Sequence, residues 1–354
     1  MLRHLKVWWI ILRTVGVAMP RARQADKLFR YYALKTLDDE GFFKYLEEPR
    51  TYGQILAEFG FADIDYTREW LELLVSDSET ILIKEGNLYR RNPKWSLPDL
   101  NSIMERTGKS VRGFVLWAEG MTGNILPRMR RQPVVLGESF DQEGRQLLTK
   151  FDRVLGMRLY SAIRRAAFAY LTDEDLAWLP GKSLLDAGCG SGREPAEIWL
   201  RFGGNIHITG IDAVPSMIEQ CEQNFIPLLN EIDPAHPPVT EANRPVFKVA
   251  SATHLPFEDN SFDAVFTFWM LHWTPDPQKA IQECVRVAKP GGLIFGAQAF
   301  KPEANPYFEL VFRTNEDCHG FFWREDFRRW FAETGLDVEF STPVGVYRVR
   351  KPLR

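Results

Sequence analysis

Hydrophobic positions fall in two rhythms along these 354 residues. In the first half they recur mostly at three- and four-residue spacing, which predicts helices that bury one face. Residues 28–37 and 42–46 read this way, and Thr51-Tyr52-Gly53-Gln54 has the spacing of a capping box that opens a short helix to Phe59. Asp65 is placed to cap a helix carrying Trp70, Leu71, Leu73, Leu74 and Val75. Ile81-Leu82-Ile83 and Leu88-Tyr89-Arg90 flank Glu85-Gly86-Asn87, which predicts a hairpin. Two longer helical stretches follow, over about 99–131 (Ile103, Val111, Phe114, Trp117, Ala118, Ile125) and about 141–171 (Phe151, Val154, Tyr160, Ile163, Ala167).

Past about residue 176, short apolar runs alternate with helical stretches, the pattern of a parallel sheet with crossover helices. Strands are expected at 183–187, 206–211, 246–249, 263–268 and 293–296. Helices are expected at 194–202, from 213 onward, at 282–287 and at 326–334, the last stopped by Gly335. Val338-Glu339-Phe340 and residues 344–349 read as a closing antiparallel pair. Pro227, Pro234, Pro237 and Pro238 argue against one continuous helix after Phe225 and predict a surface insertion. The expected divisions are an amphipathic helix at 1–24, a mainly α domain at 25–95, a helical connector at 96–175 and an α/β domain at 176–354.

A net charge of −3 gives no global pull toward nucleic acid or acidic lipid. The four cysteines (Cys189, Cys221, Cys284, Cys318) contain no C-x-x-C pair, so neither a disulfide framework nor a metal site is expected, and a cytoplasmic protein is the simplest reading. The N-terminal segment is less plain. Val7-Trp8-Trp9-Ile10-Ile11-Leu12 is strongly apolar, but Lys6 and Arg13 bracket it, and it falls short of the about 20 residues a membrane span needs. Arg13 also interrupts any signal-peptide core, and no clear small-residue cleavage site follows. Leu5, Trp8, Trp9, Leu12, Val15 and Met19 share one helical face. Such a face packs on its own domain or a dimer partner; the sharper reading is an interfacial membrane helix, basic with tryptophans on the apolar side.

The candidate chemistry centres on Leu184-Leu185-Asp186-Ala187-Gly188-Cys189-Gly190-Ser191-Gly192. An apolar run ends in an acid, and three glycines alternate with small residues before a helix. Glycines there admit positive φ and let a ligand approach the main chain. The next strand ends in Asp212, where an acid at a strand tip binds both hydroxyls of a ribose. The spacing G-x-G-x-G after an acid, in place of G-x-G-x-x-G, resembles the first motif of class I S-adenosylmethionine-dependent methyltransferases. Leu255-Pro256-Phe257-Glu258-Asp259-Asn260-Ser261-Phe262-Asp263 and Arg286-Val287-Ala288-Lys289-Pro290-Gly291-Gly292 resemble two later motifs of that family, in the family's order.

The resemblance implies a fold class of α/β with a Rossmann-like sheet, S-adenosyl-L-methionine as cofactor and a small-molecule acceptor. It implies cofactor contacts from Asp186, Gly188, Gly190, Gly192, Asp212, Ala213, Ser251, Ala252 and Phe268. Many relatives carry an acid where Ser251 stands, and serine is a weaker acceptor for the adenine amino group. Similar O-methyltransferases place a histidine base in an "L-H-D-W" segment, which implies that role for His272, although Leu271-His272-Trp273 lacks the intervening acid. A histidine that only packs is the alternative. Tyr160, Trp269 and Trp273 are expected to line the acceptor pocket, with Tyr307, Phe308, Phe312, Phe321, Phe322 and Trp323 as further aromatics that otherwise serve as core.

The order of elements over 25–95 resembles the winged-helix domain through which small-molecule O-methyltransferases dimerise, which implies a homodimer. A winged helix also opens the possibility of a DNA-binding regulator. The helix that would enter a groove carries Asp65, Arg68, Glu69, Glu72 and Asp77, a net acidic set, which argues against nucleic acid. O-methylation of an apolar small molecule is the first expectation and C-methylation of a quinone or isoprenoid the next. A non-catalytic S-adenosylmethionine-binding regulator and a same-fold enzyme of other chemistry stay open.

Overall fold

The computed structural model describes residues 2–15, 19–105, 120–132, 158–301, 306–315, 318–341 and 344–353. The expectations resting on Val111, Phe114, Trp117, Ala118, Phe151 and Val154 lie outside the described residues. Contacts divide the chain into two units, each assembled from separated segments. One comprises Met1–Val17, Ser139–Glu303 and Phe321–Arg354; the other comprises Ala18–Glu138 and Ala304–Gly320. Helix α1 (Leu2–Val15) therefore belongs with the α/β unit, and residues 304–320 belong with the mainly α unit, which differs from a division into consecutive blocks.

The smaller unit runs through α2 (Met19–Asp39), α3 (Phe42–Tyr45), β1 (Arg50–Thr51), α4 (Tyr52–Phe59), α5 (Ile64–Ser76), β2 (Leu82–Glu85), β3 (Leu88–Arg91), α6 (Leu100–Glu105) and α7 (Ile125–Met129). Thr51 and Gln54 form the expected capping box at the start of α4. Helix α5 begins earlier than expected: Asp63, not Asp65, caps it by accepting from the Tyr66 amide at 3.2 Å. Asp65 lies in the first turn instead, where its charge favours the helix dipole. The hairpin turns at Gly86, and β3 pairs antiparallel with both β2 and β1. Late in the chain, α13 (Pro306–Phe312) returns to this unit, setting Phe308 against Phe29 and Tyr307 on the Asp77–Arg30 ion pair.

The larger unit holds α8 (Arg158–Ala169), α9 (Asp173–Trp178), β4 (Ser183–Ala187), α10 (Arg193–Arg201), β5 (His207–Asp212), α11 (Pro215–Ile232), β6 (Val246–Val249), β7 (Phe262–Phe268), α12 (Pro277–Val287), β8 (Ala288–Ala297), α14 (Arg324–Glu333), β9 (Glu339–Ser341) and β10 (Val346–Arg350). The sheet order is β6-β5-β4-β7-β8-β10-β9. Pairing is parallel from β6 through β8, and the last two strands close antiparallel. Leu185, Val265, Ile294, Phe327 and Tyr347 share its core.

Helix α11 corrects one expectation, because it continues through Pro227 to Ile232. A proline inside a helix costs about 3 kcal/mol. Burial of Phe225, Leu228 and Leu229 around it offsets that cost. The helix ends at Asp233, whose extended backbone is the one Pro234 imposes on its predecessor. Chain order reverses on either side of β4, whose neighbours are β5 and β7, and an open α/β sheet collects ligands beyond the strand ends at that switch point. Among the described residues no helix is long and apolar enough to cross a membrane.

Candidate active site

The site is built where β4 and β5 end. The amides of Gly188 and Cys189 both donate to the Ile211 carbonyl at 2.8 Å, which pins the glycine loop to β5. Gly188 sits at φ 86° and Gly192 at φ 96°, a region that side-chain-bearing residues rarely enter. A Cβ on Gly188 would also lie 2.4 Å from Met270 Cγ. Gly192 caps α10 with no side-chain hydrogen bond, so the helix opens with backbone amides facing the loop.

Beneath the loop, Asp186 is fully buried and neither carboxylate oxygen has a hydrogen-bond partner among the described residues. Burial, then the nearby charges of Glu194 and Asp212, push its pKa well above the usual carboxylate value. A buried carboxyl left without partners is rare in native proteins, and this one is open to a donor. Asp212 stands across the loop. Its two oxygens accept from Gly190 N at 3.1 Å and Val214 N at 3.0 Å. Burial raises its pKa, and these backbone hydrogen bonds oppose the rise. Ala213 follows, exposed at the rim.

After β6, Ala250 N donates to the Asp212 carbonyl, and Ser251 Oγ is engaged with Thr253 Oγ1 at 2.8 Å. Ala252 is buried beside them. At the end of β7 the backbone turns sharply: Trp269 has φ 48°, uncommon for a residue this bulky, and its buried Nε1 has no partner among the described residues. Trp269 stacks beside Phe268 and meets Tyr160 of α8 edge-on at 5.0 Å. Tyr160, Phe268 and Trp269 thus come together as an aromatic wall. Burial raises the Tyr160 phenol well above its usual value, so it stays protonated.

A buried charge cluster here, Arg164 with Glu194 and Glu197, was not singled out from sequence. Arg164, one turn beyond Tyr160, is buried and bonds Glu194 at 2.9 Å and Glu197 at 2.7 and 2.9 Å, with its guanidinium 5.6 Å from the Phe268 ring. Its positive charge is the one that moderates Asp186. The available signal was Glu194, an acid two residues past the last glycine, but nothing local pointed it at Arg164.

His272 lies in the 3₁₀ turn Leu271–Trp273, 2% exposed, against Phe321 at 4.8 Å. The Gln298 amide donates to its Nδ1 at 3.3 Å. Burial alone lowers its pKa to about 3, so the imidazole is neutral. Trp273 lies against the His272 ring at 5.2 Å. The late aromatic stretch is divided: Tyr307, Phe308 and Phe312 belong to the smaller unit, while Phe322 joins Phe300, Phe327 and Trp330 in the core of the larger one.

A mostly parallel sheet with an acid-led glycine loop at its switch point and an acid at the end of the next strand form a class I methyltransferase architecture. Residues 185–296 match the family model described as "Methyltransferase domain". The chain carries a class I S-adenosylmethionine-dependent methyltransferase domain, a family whose methyl donor is S-adenosylmethionine. It is 36% identical over 196 residues to a 27-O-demethylrifamycin SV methyltransferase of Amycolatopsis mediterranei, covering 53% of this chain and 66% of that one. It is 31% identical over 125 residues to a demethylmenaquinone methyltransferase of Desulfitobacterium hafniense, covering 35% and 44%. The chain thus spans less than two thirds of these relatives' lengths. Among solved structures, the CurJ carbon methyltransferase superposes with a TM-score of 0.72 over 99% of both chains at 13% identity, a likeness of fold.

Proposed function

We propose that this protein transfers the methyl group of S-adenosylmethionine to an oxygen of an apolar small molecule whose acceptor group is already acidic, such as an enol or a hydroxyquinone. The buried Asp186, without a hydrogen-bond partner among the described residues and set under a loop where a Cβ on Gly188 would meet Met270, is the observation that carries the cofactor assignment. Asp186 would face the donor's amino group, Asp212 its ribose, and the loop amides its carboxylate. When bound, the donor supplies an electrophilic methyl on a good leaving group. The chain's own task is then to align the acceptor and exclude water.

The aromatic wall of Tyr160, Phe268 and Trp269 suits a flat apolar acceptor. His272, neutral and buried, is a poor proton acceptor for a phenol of ordinary acidity. An acceptor that ionises unaided removes that demand. The same observation supports a second reading, methylation at the carbon of such an enolate. Relatives named for O-methylation and for demethylmenaquinone methylation are compatible with either atom.

For residues 25–95 the reading is a winged-helix-like dimerisation domain, supported by β3 pairing with both β1 and β2 after two helices. Its basic edge is already answered by acids, Lys84 by Glu72, Arg90 by Glu85 and Arg91 by Glu47, which leaves little for a phosphate backbone. The test of the main proposal is methyl transfer from isotope-labelled S-adenosylmethionine to a panel of hydroxyquinones, enolic 1,3-dicarbonyls and simple phenols, read by mass spectrometry. Labelled product from the acidic acceptors and none from simple phenols supports it. Transfer confined to simple phenols contradicts it.

A further inference from the structure

Helix α1 presents two apolar faces, and among the described residues one of them is buried within the larger unit. Val7 and Ile11 are buried, and the same side of the helix is tied down by Arg3 to Glu339 at 2.9 Å and His4 to Ser341 at 3.2 Å. The opposite side carries Leu2 at 71% exposure, Leu5 at 59%, Trp9 at 59% and Leu12 at 48%. Their spacing of three, four and three residues makes one continuous stripe along a helix of 3.6 residues per turn. Trp8, also exposed, borders it on one edge. On the other edge stand Lys6, whose ammonium also reaches Asp173 at 3.1 Å across an exposed, solvent-screened pair, and Arg13, one heptad on and laid over the Trp9 ring at 4.6 Å.

Charge identifies the occupant. Residues 1–25 contain five basic side chains and no acid, within a chain whose net charge is −3. A second copy of this chain pairing stripe to stripe would bring the same basic edge against itself, with no acid on the helix to answer it. An anionic lipid surface answers both features, taking the leucines and indoles into the acyl boundary and the basic edge onto its headgroups. We propose that α1 is an interfacial anchor that seats the protein on an anionic membrane surface, with Leu2, Leu5, Trp9 and Leu12 inserted and Lys6 and Arg13 at the headgroups. The proposal does not depend on which acceptor is methylated.

The test is co-sedimentation of the full chain with vesicles of equal parts phosphatidylcholine and phosphatidylglycerol, beside vesicles of phosphatidylcholine alone. Light scattering on the vesicle-free protein accompanies it. Binding to the anionic vesicles is expected to fall at least about tenfold in Leu5→Gln/Trp9→Gln, since two large apolar side chains leave the bilayer. Lys6→Glu/Arg13→Glu leaves the stripe intact and is expected to lose binding by about fivefold or more for each charge. Either variant with an unchanged far-ultraviolet spectrum suffices as the folded control. No binding to anionic vesicles overturns the proposal, as does equal binding to both vesicle types that neither variant alters. A dimer that Leu5→Gln/Trp9→Gln dissociates, in a protein that ignores vesicles, assigns the stripe to a second copy and also overturns it.

Discussion

Asp186 carries its charge problem openly. Its oxygens are buried without partners among the described residues and its pKa is raised by burial and by neighbouring acids, so the carboxyl holds a proton more readily than a surface aspartate. A cationic amino group arriving beside it reverses that balance. Binding of S-adenosylmethionine is therefore expected to release a proton. Calorimetry in buffers of different ionisation enthalpy reads this as a buffer-dependent heat, and Asp186→Asn should remove the dependence; a buffer-independent heat in the wild type would count against the assignment. His272 makes a second residue-scale case. With a pKa depressed to about 3 by burial, it is neutral across the working range and contributes no step to a pH profile near its ordinary value. Gln298→Glu would place a carboxylate at Nδ1 in place of an amide, favour the imidazolium and bring the titration up toward neutrality. Histidine-selective ¹⁵N spectra measure both states. A wild-type His272 titrating near 6.5 would contradict the reading. The glycine loop and Asp212 were legible in sequence because their spacing is the chemistry. The depth of His272's burial was not, since Phe321, which covers its ring, arrives from far along the chain.

At the scale of elements, local signals placed most helices and strands and failed where tertiary contacts decide. The Thr51–Gln54 box and strand β4 formed where the pattern put them. Pro227 did not stop α11, because buried neighbours outweigh one proline. Asp63 displaced Asp65 as a cap through a choice between adjacent acids that spacing alone does not make. The same holds for Asp175 at the start of α9, which caps with Thr172 and binds Arg348 and Arg350 on β10. Burial alone would raise its pKa, but the Arg348 hydrogen bonds and the cap hold it at about 2. A carboxylate depressed in the folded state adds stability above its unfolded pKa of about 3.9, and that stability is lost as pH falls toward 2. Asp175→Asn is expected to cost about 3 kcal/mol by leaving two arginines without their acid. Chemical denaturation of the larger unit's transition checks it, and the variant should lose less stability than wild type between pH 4 and 2, a flattening whose absence would contradict the pairing.

For the whole molecule, the sequence implied an α/β methyltransferase region, and the seven-stranded sheet agrees with it. The assembly of each unit from separated segments was not legible, because α1 and α13 join units distant from them in sequence through packing that no local periodicity encodes. Arg164 belongs to the same category. Helix α8 was expected as part of a connector carrying Tyr160 to the acceptor pocket; beyond setting Tyr160 beside Trp269, it delivers a buried guanidinium to Glu194 and Glu197. Ligand binding should report on the larger unit as a whole. A ligand that binds only the folded state raises stability by about 2.7 kcal/mol at one hundred times its dissociation constant, so S-adenosylmethionine should raise the melting temperature of the transition that contains the sheet.

The most direct test is calorimetric titration of the full chain with S-adenosylmethionine, beside Asp212→Ala and Gly188→Ala. The account predicts saturable binding at one site in the wild type, lost or weakened at least about tenfold in Asp212→Ala, where the strand-tip carboxylate is gone. Gly188→Ala should lose binding as well, since its Cβ would meet Met270 at 2.4 Å and its φ is 86°. A well-folded wild type that takes up no S-adenosylmethionine would contradict the assignment of Asp186, the glycine loop and Asp212 as the donor site.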